Sequence, residues 1–286
     1  MSTVSIPLQS GRERAAEDRP WSADPYAHAL SNGRGPLFLR RTDGWLLPLD
    51  VERWCADADA ADLEVLRRCE GAVLDVGCGP GRLVAALGRQ GRRVLGIDVS
   101  EAAVARTVRR LGSPPPAAGR EAGDGPVLLR SVFEPLPDEG HWGTALLFDG
   151  NIGIGGDPRA LLDRVAQLLA RHGLLIAETV PDLDVDERVQ VQVTDARGAL
   201  GHPFRWARLG TPALLRHAER AGWCAVDEWA VGGRSFVALR RRNLTGHARR
   251  FEPPRHGASR LDPQGPVRPA GTERAVSANP EGHSAF

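Results

Sequence analysis

Val73-Leu74-Asp75-Val76-Gly77-Cys78-Gly79-Pro80-Gly81-Arg82 decides the fold. A short apolar run ends in three alternate glycines, and Leu83 to Leu87 then follow at helical spacing. Seventeen residues beyond Gly81, the acid Asp98 closes a second apolar run. The pattern describes a strand, a glycine turn into a helix, and a second strand ending in an acid. Three glycines remove every Cβ from the turn, so the backbone can approach a ligand closely and take positive φ values. The helix beginning near Gly81 points unpaired N–H groups and its positive end at whatever sits there. A carboxylate at the end of the next strand suits a ribose, whose two hydroxyls both donate to it.

The spacing separates this turn from the dinucleotide fingerprint G-x-G-x-x-G, whose third glycine lets helix pack on strand. Here the glycines run G-x-G-x-G, and Arg82 stands where that fingerprint needs glycine. Asp75, at the start of the turn, would repel a pyrophosphate and welcome a cationic ligand with a free amino group. The string Asp75-Val76-Gly77-Cys78-Gly79-Pro80-Gly81 resembles the first motif of class I S-adenosylmethionine-dependent methyltransferases. The resemblance implies S-adenosylmethionine as cofactor, with Asp75, Gly77, Gly79 and Gly81 at its methionine part and Asp98 on its ribose.

Bulk composition sets outer bounds. The 286 residues suffice for one large or two small domains, and 42% hydrophobic content supports a full core. Formal charge is +1, from 37 basic and 36 acidic residues, so nothing points to a polyanionic partner. Every basic residue is arginine, which excludes lysine as a general base or Schiff-base former. Cys55, Cys69, Cys78 and Cys224 form no CxxC pair, so neither a zinc site nor a disulfide framework is indicated. The first twenty residues are polar and unlike a signal peptide, and no apolar run is long enough to span a membrane. A soluble, cytoplasmic protein is expected.

Along the chain, residues 1–20 are expected to be disordered and residues 21–70 to form a cap. Within that cap, Asp24-Pro25 starts a short helix ending at Asn32-Gly33. Leu37–Arg41 and Trp45–Leu49 form a hairpin about Asp43-Gly44, and Asp50 caps a helix running towards Cys69. Residues 71–242 form the core, with strands at 72–76, 93–98, 127–132, 144–149 and 174–179. Asp157-Pro158 opens a long amphipathic helix stopped at Gly173. Strands alternating with helices specify an α/β fold, a Rossmann-like parallel sheet with helices on both faces. A hairpin inserted at about 181–209 should lie over the carboxyl end of the sheet. Trp223–Val231 and Ser235–Leu239 pair across Gly232-Gly233. The resemblance implies the same sheet: seven strands, mostly parallel, the last antiparallel beside the fifth. Residues 111–126 read as an exposed loop and 243–286 as a disordered tail.

Ligands of open α/β sheets bind at the carboxyl ends of the strands, where strand order reverses. By resemblance, Val132 and Phe133 would border the adenine, and Asp149 the methionine part of the cofactor. Methyl transfer from a sulfonium is an in-line displacement, so positioning and desolvation supply most of the acceleration. A base is needed only for a hydroxyl or a protonated amine. Asp149, His141 and His202 are the candidates; His141, just before the strand at 144–149, falls at the opposite end of the sheet, whereas His202 lies in the inserted hairpin. The run Asp182 to Glu187 reads as a solvated acidic loop, and no metal is assigned. Trp45, Trp54, Phe204 and Trp206 are candidate apolar walls of an acceptor pocket. A small-molecule methyl acceptor is therefore expected, with no membrane or nucleic-acid partner and no oligomeric state specified. The rival readings are a non-catalytic S-adenosylmethionine-binding module, an aminopropyl transferase and an RNA methyltransferase.

Overall fold

A computed structural model describes residues 24–112, 125–181 and 183–242. The segments expected to be disordered, and most of the 111–126 loop, lie outside them. The N-terminal part comprises α1 (Asp24–Asn32), β1 (Leu37–Arg41), β2 (Leu46–Leu49), α2 (Val51–Cys55) and α3 (Ala60–Leu66). The first half of the core runs β3 (Val73–Val76), α4 (Arg82–Arg89), β4 (Val94–Asp98), α5 (Glu101–Leu111) and β5 (Val127–Leu129). Next come β6 (Trp142–Leu147), a 3-10 turn (Asn151–Gly153), α6 (Pro158–Leu168) and β7 (Leu169–Thr179). The chain then forms β8 (Asp186–Asp195), β9 (Phe204–Leu209), α7 (Thr211–Arg220), β10 (Trp223–Val231) and β11 (Arg234–Arg241).

Seven strands make one sheet in the order β10-β11-β7-β6-β3-β4-β5. The five strands from β3 to β7 run parallel, and β11 runs antiparallel between β7 and β10. This is the architecture expected from the sequence. Its strands are continuous apolar runs because both faces are covered. Leu74, Val76 and Leu147 pack on one side with Leu161, Leu162 and Val165 of α6. Val73, Leu146 and Ile176 pack on the other with Leu83 and Leu87 of α4 and Val65 and Leu66 of α3. Strand order reverses at β3, which neighbours β4 on one side and β6 on the other, opening a crevice at their carboxyl ends.

Local boundaries differ from the sequence reading in three places. The helix expected from Asp50 to Cys69 is two helices. Asp59 and Asp62 form a reciprocal capping box that starts α3 afresh. The helix expected to stop at Gly173 ends at Leu168, and Leu169 already pairs with Trp142. Strand β5 stops at Leu129, so Val132 lies in the turn that follows.

The larger surprise is a second sheet. The N-terminal hairpin and the inserted hairpin pair with one another, in the order β2-β1-β8-β9. Strands β1 and β8 run antiparallel with Leu37 opposite Asp195 and Arg41 opposite Val191. Leu37, Leu39, Val191 and Val193 are buried beneath it with Leu30 of α1, so this sheet has its own small core. No helix among the described residues is long and apolar enough to cross a membrane.

Candidate functional site

The glycine turn is shaped by three different neighbours. Gly81 has φ +78°, and a Cβ there would lie 2.5 Å from Thr107 of α5. Thr107 in turn donates its hydroxyl to the Gly79 carbonyl at 2.9 Å. At Gly79, with φ +54°, a Cβ would meet only the Tyr26 hydroxyl, at 3.8 Å. The protein thus packs tightly behind Gly81 and leaves Gly79 open. Asn151 ties the turn to the loop after β6, donating from Nδ2 to the Val76 and Gly77 carbonyls, each at 2.9 Å.

Asp98 faces this turn from the end of β4. Its Oδ2 accepts from the Gly79 N–H at 2.9 Å, and its Oδ1 from the Ser100 N–H at 2.8 Å. Burial pushes its carboxyl up to about 6, although these backbone donors pull the other way. A ligand hydroxyl arriving here would find an acceptor already fixed in place.

A cavity of about 520 Å³ opens over the carboxyl ends of the strands, within the range of small-molecule sites. Gly77, Gly79, Asp98, Val132, Phe133 and Asp149 all border it. Of the residues assigned from sequence to the cofactor or to catalysis, three do not. Asp75 is buried in β3 below the turn, where burial pushes its carboxyl up to about 7 and its Oδ2 finds no hydrogen-bond partner among the described residues. Gly81 is turned towards Thr107. His202 is exposed on the turn between β8 and β9, away from the cavity wall. Trp54, Phe204 and Trp206 line the cavity, but Trp45 instead lies under the guanidinium of Arg208, 4.8 Å away.

Behind the cavity lies an ionic network that sequence reasoning missed. Arg82, in the first turn of α4, is almost fully buried. Its Nε pairs with Asp62 Oδ2 at 2.9 Å and its Nη1 with Asp149 Oδ2 at 2.6 Å. Arg234 of β11 bridges Asp62 at 2.7 Å and Glu178 at 2.8 Å. Burial by itself would raise the Asp62 carboxyl, but Arg82 and Arg234 hold it at about 2. A signal was present: an arginine in a first helical turn opposes the helix dipole and calls for an acid nearby.

Asp149 is the node where this network reaches the cavity. It has φ +56°, uncommon for a residue with a side chain, and its N–H donates to Glu178 Oε2 at 2.8 Å. Burial opposes its charge, yet Arg82 and Arg53 hold its carboxyl below the usual range. Arg53 Nη2 stands 2.7 Å from Asp149 Oδ1 but off the line of a hydrogen bond, so that buried oxygen keeps acceptor capacity. Arg53 Nη1 likewise has no hydrogen-bond partner among the described residues. A carboxylate held by two arginines is a weak proton acceptor and a good fixed charge.

The second sheet roofs the cavity. Trp206 of β9 bridges to Ile154 in the loop after β6, and a Cβ on Gly153 would strike the Ala207 carbonyl at 2.1 Å. Leu47 and Leu49 of β2 and Phe204 and Trp206 of β9 bring apolar surface to the cavity. Among the described residues no group of three His, Cys, Asp or Glu is placed to hold a metal ion.

Residues 73–173 match a family model described as a methyltransferase domain. The fold is similar to that of a SAM-dependent methyltransferase from Bacteroides fragilis in complex with S-adenosyl-L-homocysteine. That likeness has a TM-score of 0.60 at 19% identity, covering 78% of this chain and 95% of the other. It is also similar to 1,6-didemethyltoxoflavin-N1-methyltransferase from Burkholderia thailandensis, with TM-score 0.51 and 21% identity over 84% of this chain and 94% of that one. No curated protein sequence matches the chain.

Proposed function

We propose that the chain, whose residues 73–173 match a methyltransferase domain, is a class I S-adenosylmethionine-dependent enzyme that methylates an O, N or C atom of a small molecule held beneath its second sheet. The observation that carries this reading is the pairing of Asp98 with the open face of Gly79. A buried carboxylate already oriented by two backbone N–H groups accepts the ribose hydroxyls, and the missing Cβ leaves room beside it.

The other residues fit the same ligand. Val132 and Phe133 border the adenine side. At the methionine end, the unsatisfied Asp149 Oδ1 suits an ammonium group, and the unsatisfied Arg53 Nη1 suits a carboxylate. When bound, S-adenosylmethionine supplies a methyl group on a positively charged sulfur. The chain orients the partners and keeps water out: the roof closes over the crevice and the buried network fixes Asp149. Such positioning and desolvation are the main demands of an in-line displacement. Asp149 serves here as a fixed charge at the cofactor, and His202 has no part.

The test is calorimetric titration of the purified chain with S-adenosylmethionine, its decarboxylated analogue and S-adenosylhomocysteine. The reading expects tighter binding of the two ligands that carry a carboxylate, and S-adenosylhomocysteine as product once an acceptor is supplied. Preference for the decarboxylated analogue would point to aminopropyl transfer, and absence of all binding would sink the assignment.

A further inference from the structure

Asp50, Asp98, Asp149 and Glu178, the carboxylates that border the cavity, are all engaged by the protein. Arg82 and Arg53 hold Asp149 below the usual range, and Glu178 accepts from Nε and Nη2 of Arg234 and from the Asp149 N–H. Asp98 accepts from the glycine turn, and Asp50 caps α2 while pairing with Arg53. Burial pushes both Tyr26 and Cys78 upwards, so neither is ionised near neutral pH. No histidine among the described residues borders the cavity. An occupant therefore meets no group ready to take its proton.

The roof offers no free cation either. Pairing of β8 with β9 sets Val189 opposite Trp206, Val191 opposite Phe204 and Glu187 opposite Arg208, so these side chains share one face of the second sheet. Phe204, Trp206 and Arg208 bring that face to the cavity. Arg208 is its one cation there, and Glu187 Oε2 already pairs with it at 2.8 Å. Arg205 belongs to the other face by alternation and is exposed. Arg130, just after β5, is exposed as well and donates to the Pro135 carbonyl. A charged occupant would lose its water under this roof and gain no counter-ion, which is costly. A neutral hydroxyl would need a base before it could attack. A neutral nitrogen needs neither, because its lone pair is already free.

We propose that the methyl acceptor is a neutral nitrogen base, a ring nitrogen or an aryl amine, methylated without help from a protein base. This rests on the methyltransferase reading above. The nitrogen lone pair forms the new N–C bond while the methyl C–S bond breaks, and that electron pair goes to sulfur. Positive charge passes from sulfur to nitrogen, so the net charge of the reacting pair does not change. Trp54, Phe204 and Trp206 on the cavity wall suit such a cation, which aromatic faces attract. A ring nitrogen leaves as a quaternary cation, whereas an amine gives its extra proton to water after release.

Probes of similar size test this: isoquinoline and 2-naphthylamine carry the nitrogen, 2-naphthol a hydroxyl and 2-naphthoate an anion. Turnover is read as S-adenosylhomocysteine release at saturating cofactor, after calorimetry has shown cofactor binding. Loss of cofactor binding condemns the parent reading; every other failure condemns only the acceptor class. The expected result is turnover of isoquinoline or 2-naphthylamine, with 2-naphthol about a hundredfold slower for want of a base. Comparable turnover of either oxygen probe, or none across the panel, overturns the proposal. If ring nitrogens react, the half-maximal pH should be higher for the more basic 6-aminoisoquinoline than for isoquinoline. Equal half-maximal pH for the two would assign the titration to the protein and overturn it as well. A second readout is independent of turnover. Glu187 does not itself border the cavity, and Glu187→Gln frees the Arg208 guanidinium that does. With S-adenosylhomocysteine present, quenching of tryptophan fluorescence by 2-naphthoate should then need at least about threefold less ligand than in the parent chain, and by isoquinoline should shift less than about twofold. Equal naphthoate affinity in the two chains, or naphthoate bound by the parent as tightly as isoquinoline, would overturn the exclusion of anions on which the proposal stands.

Discussion

The floor and the roof of the cavity are built on opposite plans. The floor comes from residues 73–99, one unbroken strand-turn-helix-strand unit whose parallel pairing sets Asp75 beside Gly96 and Val76 beside Ile97. The roof is assembled from residues 37–49 and 186–209, two segments far apart in sequence that meet as β1 and β8. The floor presents fixed backbone groups and one oriented carboxylate. The roof presents apolar side chains and an arginine already paired. On the proposed reading, a donor common to a family is held by a local turn, whereas an acceptor particular to one chain is held by added segments. That division of labour makes the two halves separable by mutation.

The largest effect should come from what joins them to the sheet. Asp62→Ala leaves Arg82 and Arg234 buried without their shared partner, and breaking a buried pair in this way costs about 3–5 kcal/mol. Urea unfolding should show the loss, and a change below about 1 kcal/mol would mean the network carries little of the stability. Next comes the floor. Asp98→Ala should weaken cofactor binding by about 1.5–3 kcal/mol, the worth of hydrogen bonds to a charged group, with acceptor-side binding little altered.

The Asp98 carboxyl, pushed up to about 6, gives the floor a pH dependence. On the proposed reading it is ionised above that pH and would accept from the ribose hydroxyls; below it, protonation removes acceptor capacity. Cofactor affinity should therefore fall as pH drops through about 6, by up to about tenfold per pH unit, until the pKa of the bound state is reached. Asp98→Asn should flatten that profile. A profile unchanged by the substitution would move the titration to another group. The smallest effect belongs to the roof. Leu47→Ala removes apolar surface worth about 1 kcal/mol and should raise the acceptor KM several-fold with the cofactor Kd unchanged.

Legibility in the sequence followed the same division. The strands from β3 to β7, the terminal hairpin and Asp98 could be read because each depends on period, turn glycines or position after a known strand. Asp75 and Gly81 share the motif but do not reach the cavity. Within the motif, spacing cannot say which residues face the ligand and which pack behind it. Thr107, which turns Gly81 inward, lies a full helix away. Arg82 was informative in sequence as the absence of a glycine, yet its part is played through Asp62 and Asp149 on other elements. The end of α6 at Leu168 follows from pairing with Trp142, a contact across strands that overrides the helical period. The β1–β8 pairing had no local signature at all. Both hairpins could be predicted, but alternation along a strand does not name its partner.

Binding of S-adenosylhomocysteine by calorimetry to three chains, the parent, Asp98→Ala and Leu47→Ala, tests the division most directly. The account predicts a dissociation constant raised by roughly ten- to a hundredfold in Asp98→Ala and within twofold of the parent in Leu47→Ala. Equal affinity in Asp98→Ala and the parent, or an equal loss in both variants, would contradict it.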